Sequence, residues 1–167
     1  VYRTHCDTET IIHAWEQWGA ESLSHFRGMF AFALWDRQKQ ELHCVRDRLG
    51  IKPFYYYFDG RTFVFGSEIK VLLEHPAVSA KFEEQVLPEY LPFGYTNGDR
   101  TMFTGIRKLM PGHTLTISLR DFEPSIRQYW ELPLEQHAHQ ATEQELIQET
   151  RRRLEETVQM RLMSDVP

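Results

Sequence analysis

The side chains able to do chemistry in this sequence are few and lie far apart. Asp7 follows His5 and Cys6 and precedes a run with helical spacing, so its carboxylate either caps that helix or faces a cationic ligand group. His5-Cys6-Asp7 places three metal-ligating types in a row, but neighbours in extended chain point to opposite sides, and no metal site is expected. Asp47 stands between Arg46 and Arg48 in a loop that also carries Gly50 and Pro53, where it is part of a structural charge network or a pocket wall. His137 and His139 read as solvated residues. Glu143, Glu145 and Glu149 sit where the macrodipole of a helix N-terminus favours negative charge. There is no GxSxG, HExxH, Walker or GxGxxG pattern. Read alone, these residues specify no self-contained catalytic site.

The elements that must position them can be traced from spacing. Asp7 or Thr8 can cap a helix with Ile11, Trp15 and Trp18 on one face and Gly19 just past its end. A shorter helix carries Leu23 and Phe26 and stops at Gly28. Met29–Trp35 is apolar on both faces and must be covered on both, with Ala31 and Ala33 permitting close packing. Five polar residues, Asp36–Gln40, link it to a partner strand over Glu41–Arg46, and Asp59-Gly60 links Phe54–Phe58 to Thr62–Gly66. The periodicity therefore predicts four consecutive strands in one mostly antiparallel sheet. A helix capped by Ser67, with Ile69, Leu72 and Leu73 on one face, should lie on it and end before Pro76. Pro88 breaks a helical pattern over Phe82–Leu91, which predicts a short or kinked helix. Tyr95–Arg100 reads as a loop and Thr114–Leu119 as a strand. Glu131–Ala141 reads as a linker, and Thr142 with Glu145 forms a capping box for a helix of about six turns carrying Ile147, Leu154, Val158 and Leu162.

The totals exclude some classes of function. With 167 residues, 41% of them hydrophobic and 13% aromatic, the chain can build a real core. A net charge of −5 with interspersed signs offers no basic stripe, so nucleic acid is not an expected partner. No apolar run reaches the roughly 20 residues of a membrane helix, and no signal peptide is evident; no membrane partner and a cytoplasmic location are expected. Cys6 and Cys44 suggest neither a disulfide framework nor a metal site, and read as buried or idle thiols. The start at Val1 and the helical pattern running towards Pro167 give the look of a fragment.

Cys6-Asp-Thr-Glu9, Arg27-Gly-Met-Phe-Ala-Phe-Ala-Leu-Trp-Asp36, Arg46-Asp-Arg-Leu-Gly-Ile-Lys-Pro-Phe-Tyr-Tyr57, Gly66-Ser-Glu-Ile-Lys70, Gly105-Ile-Arg-Lys-Leu-Met-Pro-Gly-His113, Tyr129-Trp130 and Ser164-Asp-Val-Pro167 occur in a series. In order and spacing the series resembles the glutamine-hydrolysing asparagine synthetase family. That resemblance implies an α+β fold: part of an N-terminal nucleophile hydrolase sandwich of two antiparallel sheets between helices, then the first helix of an α/β synthetase domain. The implied boundaries are 1–132 for the glutaminase part, 133–141 for a linker and 142–167 for the start of the synthetase.

By the same resemblance, the parent protein takes glutamine, aspartate and ATP with Mg²⁺ as small-molecule partners, and leaves a homodimer open. Ammonia released from glutamine attacks adenylated aspartate. Asp7 matches the residue that holds the α-amino group of glutamine, alongside its capping role, and Met29 matches a position near the ammonia route. The family's nucleophile is a cysteine at the mature N-terminus and its pyrophosphate loop follows the residues matching Ser164–Pro167. This chain is therefore expected to hold no catalytic residue, no metal and no cofactor, and to be inactive alone. Cys6 and Pro88 depart from the family pattern. A related amide-forming synthetase of β-lactam or peptide-cyclising type, a sugar-modifying amidotransferase, an ammonia-fed synthetase and a nonenzymatic binding module on the same scaffold are the alternative readings.

Overall fold

Seven strands and five α-helices make up the computed structural model, which describes residues 2–4, 6–133 and 141–162. The strands are β1 (Ala31–Asp36), β2 (Glu41–Arg46), β3 (Tyr55–Phe58), β4 (Phe63–Gly66), β5 (Ile106–Lys108), β6 (His113–Ser118) and β7 (Pro124–Gln128). The helices are α1 (Asp7–Trp18), α2 (Ser22–His25), α3 (Ile69–Leu73), α4 (Leu87–Phe93) and α5 (Glu143–Arg161). By their contacts they fall into two compact units, Val1–Leu132 and Pro133–Pro167.

The four early strands do not share one sheet, contrary to the periodicity. β1-β2-β6-β7 form one antiparallel sheet and β4-β3-β5 another. Both hairpins form as their turns require: Asp36 pairs with Glu41, and Phe58 with Phe63. Asp36 Oδ1 accepts the amides of Gln38 and Lys39, and Asp59 Oδ1 those of Arg61 and Thr62, so each turn is tied by its leading aspartate. Turn chemistry is local, however. It decides which neighbours pair, while the outer partner of each hairpin is chosen by non-local burial. β6 takes the place beside β2, and the loop after β2 carries the chain across to the second sheet.

The two sheets face each other over Cys44, Phe54, Tyr56, Leu109, Leu115 and Ile117, all buried, with Ala31 and Leu42 packed alongside. Alternation then assigns the outer faces. Beyond the second sheet, Leu72 of α3 packs with Val78 and Ile106 against Tyr55, Tyr57 and Val64. Outside the first, Trp15 of α1 meets Phe32 edge-on at 6.4 Å and lies 4.9 Å from the His43 ring. Helices thus flank a two-sheet sandwich, the α+β arrangement of N-terminal nucleophile type. Trp18 departs from the expected buried stripe: it is 47% exposed and rests on His25.

At three places the local detail goes beyond the expectation, and around Pro88 the expected short helix forms. Glu68, not Ser67, is the N-cap of α3, and it provides no side-chain cap. Pro88 stands in the first turn of α4, where its missing amide is harmless, and a 3-10 turn over Glu84–Val86 leads in; Pro92 lies inside this short helix. β5 and β7 went unread because one is three residues long and the other is a polar edge beginning at Pro124.

In the second unit, Thr142 and Glu145 form the reciprocal capping box, and α5 runs for 19 residues, near five turns rather than six. Its Ile147, Leu154 and Val158 are exposed. Residues 134–140, with His137 and His139, and the segment from 163, with Ser164–Pro167, lie outside the described residues.

Candidate functional site

Asp7 is the first residue of α1 and is exposed. It does not cap the helix. Cys6 holds the N-cap position, and no side chain accepts there, which corrects the expectation that Asp7 would do so. Its Oδ1 instead accepts weakly from the Cys6 thiol at 3.6 Å and the Thr8 hydroxyl at 3.5 Å, while Oδ2 has no partner among the described residues. Tyr2, Arg3, Thr4, Cys6, Asp7 and Thr10 line an open concavity of about 490 Å³. An exposed carboxylate with a spare oxygen at such a rim can take a charge-assisted hydrogen bond from an ammonium group. A larger groove of about 830 Å³ lies between α1 and β1, but Ile11, Ile12, Trp15, Phe32, Leu34 and Trp35 dominate its walls, and it shows no arrangement of reacting groups.

The residues just before α1 are held by Glu9. Arg3 and Thr4 donate their amides to its two oxygens, each at 2.7 Å, and the Thr4 hydroxyl donates at 2.5 Å. The Thr4 hydroxyl and the Arg3 amide hold the Glu9 carboxyl down to about 2. The signal was present in the spacing. Glu9 lies three residues after the N-cap, the position from which an acidic side chain reaches back over the helix start.

The loop after β2 gives Asp47 a third role beyond the two expected for it. Asp47 is 1% exposed, and its carboxylate accepts the amides of Leu49, Ile51 and Lys52 rather than pairing with an arginine. Arg46 donates to the carbonyls of Lys52, Gly50 and Leu109. Arg48 donates to those of Leu23, Ser24 and Phe26, satisfying the open C-terminal end of α2. All three charges are spent on backbone, so this loop is scaffold.

Met29 lies just before β1 and is 47% exposed. Cys44 is buried between the sheets, and burial pushes its thiol up to about 12, so it stays protonated and unreactive. Cys6 is exposed and forms no disulfide.

The family model described as a glutamine amidotransferase domain matches residues 1–130. The chain belongs to this family. Among curated relatives of this amidotransferase domain, it is 36% identical over 162 residues to a glutamine-hydrolysing asparagine synthetase, number 3 of Bacillus subtilis strain 168; the match covers 96% of this chain and 26% of that protein. It is 34% identical over 137 residues to number 2 of the same organism, covering 79% of this chain and 18% of the relative. It is also 35% identical over 163 residues to the amidase chyE of Penicillium rubens, covering 96% of this chain and 24% of that protein. The chain thus spans between about a quarter and a third of the length of the relatives it matches over nearly its whole extent. No described helix is long and apolar enough to cross a membrane. Among the described residues no three His, Cys, Asp or Glu side chains come together to hold a metal ion.

Proposed function

We propose that this amidotransferase segment supplies the scaffold and the glutamine-binding carboxylate of an ATP-dependent asparagine synthetase. Residues 1–132 belong to its glutaminase domain, 133–141 form a linker and 142–167 open the synthetase domain. Asp7 holds the α-ammonium of glutamine through Oδ2, and Met29 offers apolar surface to the path of the released ammonia, which stays neutral when kept from water. The single observation that supports this is the exposed, half-unpartnered Asp7 carboxylate at the rim of a concavity in a chain of this family. The bond-breaking groups are contributed elsewhere in the protein: Cys44 is buried and protonated, and the carboxylate that the Cys6 thiol meets is that of Asp7, which this reading commits to glutamine.

Two measurements test the reading. In the full-length protein, Asp7→Asn removes the charge opposite the ammonium and is expected to raise KM for glutamine by about tenfold or more, leaving ammonia-supported synthesis intact. An unchanged KM overturns the assignment. The 167-residue chain alone is expected to release no ammonia from glutamine, and measurable release defeats the claim that its nucleophile lies elsewhere. A second reading, in which the acceptor is not aspartate, is favoured by the likeness to the Penicillium amidase. Asparagine formation from aspartate by the full-length protein decides between them.

A further inference from the structure

We infer that Glu9 is a positioning residue for glutamine, clamping residues 2–4 onto α1 as the wall of the concavity that Asp7 faces. The inference rests on the assignment of Asp7 to glutamine made above. Tyr2, Arg3 and Thr4 supply half of the lining residues, and they have no strand or helix of their own to hold them there. Glu9 takes the two successive amides of Arg3 and Thr4, one on each oxygen, and the Thr4 hydroxyl as well. The Thr4 oxygen in turn accepts the Cys6 amide at 3.2 Å, tying the wall to the residue that precedes Asp7.

A second layer supports the clamp from the next turn of α1. His13 Nε2 lies 3.4 Å from Glu9 Oε1, and its Nδ1 lies 3.1 Å from Glu16 Oε2. Tyr2 sets its ring edge-on to the His13 imidazole at 5.0 Å. The wall is therefore held by carboxylate and ring contacts to one helix face, the face that carries Glu9, His13 and Glu16. Glu9 itself is turned away from solvent, with 15% of its side chain exposed, and its oxygens are occupied by backbone. It acts on the ligand through the wall and through the seat of Asp7, with no contact of its own.

Steady-state kinetics of the full-length protein test this with Glu9→Ala, Glu9→Gln and Asp7→Asn side by side. Misplacing one wall of a binding site is expected to raise KM for glutamine by about tenfold in Glu9→Ala, with kcat and ammonia-supported synthesis within about twofold of wild type. Glu9→Gln, which keeps one accepting oxygen, is expected to recover part of the loss. If Glu9→Ala leaves KM within twofold while Asp7→Asn raises it, the Glu9 role is overturned and that of Asp7 stands. If neither variant moves KM, both assignments fall. A fall in ammonia-supported synthesis in Glu9→Ala overturns the positioning role in favour of a general folding defect.

Discussion

Tyr129 donates its hydroxyl to the carbonyl of Arg46 at 2.9 Å, joining the last residues of the sandwich to the end of β2. The Tyr129 and Trp130 amides both reach Gly112 O, and the Gly112 amide reaches Asp47 O, so three distant segments meet at one point. Tyr129→Phe is expected to lower stability by about 1 kcal/mol in urea denaturation. Burial first of all pushes the phenol up to about 12. The folded state therefore holds the proton more tightly than the unfolded chain, whose phenol titrates near about 10. The contribution is fully present below that value and is lost as pH rises from there towards 12. Tyr129→Phe should remove this part of the alkaline decline, and a variant whose decline matches wild type contradicts the assignment.

Asp47 should be among the most sensitive positions to substitution, although it touches no ligand. Asp47→Ala strands three loop amides around a site with 1% exposure, and is expected to cost about 3 kcal/mol or more. Asp47→Asn keeps an accepting oxygen but turns an amide donor towards other donors, so an intermediate loss is expected. Equal stability of Asp47→Asn and wild type would show that the charge itself contributes little.

Gly112 has φ +67°, and a Cβ built there meets the Trp130 carbonyl oxygen at 2.5 Å. Backbone cannot swing aside as a flexible side chain can. Gly112→Ala is expected to destabilise by more than about 2 kcal/mol, read as a drop in Tm, because strain in the left-handed region adds to the clash. A comparable substitution at exposed Gly60, which has nothing within 4 Å of a Cβ, should show the backbone strain alone.

The contrast between Asp36 and Asp47 shows how much of this could be read from residues. Asp36 opens a hairpin and binds its own turn, a local event that polar punctuation announces. Asp47 also leads into a turn, one that carries Gly50 and Pro53, but its place between Arg46 and Arg48 suggests a charge network. Arg46 does bind the nearby carbonyls of Gly50 and Lys52, but its third partner, Leu109, and those of Arg48, in Leu23, Ser24 and Phe26, are brought near only by the fold. The same limit separated one predicted sheet from two. Both hairpins follow from turn chemistry, whereas the place of β6 beside β2 depends on Cys44, Leu115 and Ile117 facing Tyr56 across the sandwich. At the site, helical spacing placed Asp7 at the start of α1 to within one residue. The wall opposite was missed because Tyr2–Thr4 has no periodicity, and its only sequence trace is a glutamate at the third helical position.

The clamp on that wall gives a pH signature of its own. The Thr4 hydroxyl and then the Arg3 amide, with the Thr4 amide and His13 adding, lower the Glu9 carboxyl to about 2 against the partial desolvation that opposes them. A depressed carboxyl stabilises the folded arrangement above the ordinary glutamate range, and that stabilisation is lost as pH falls through the folded value. The Arg3 and Thr4 amide resonances of the 167-residue chain should therefore hold their positions through pH 4 and shift together near about 2. Glu9→Gln should abolish the shared transition while leaving resonances in β2 and β6 in place. A midpoint in the ordinary glutamate range would mean that Glu9 does not hold residues 3 and 4 in solution.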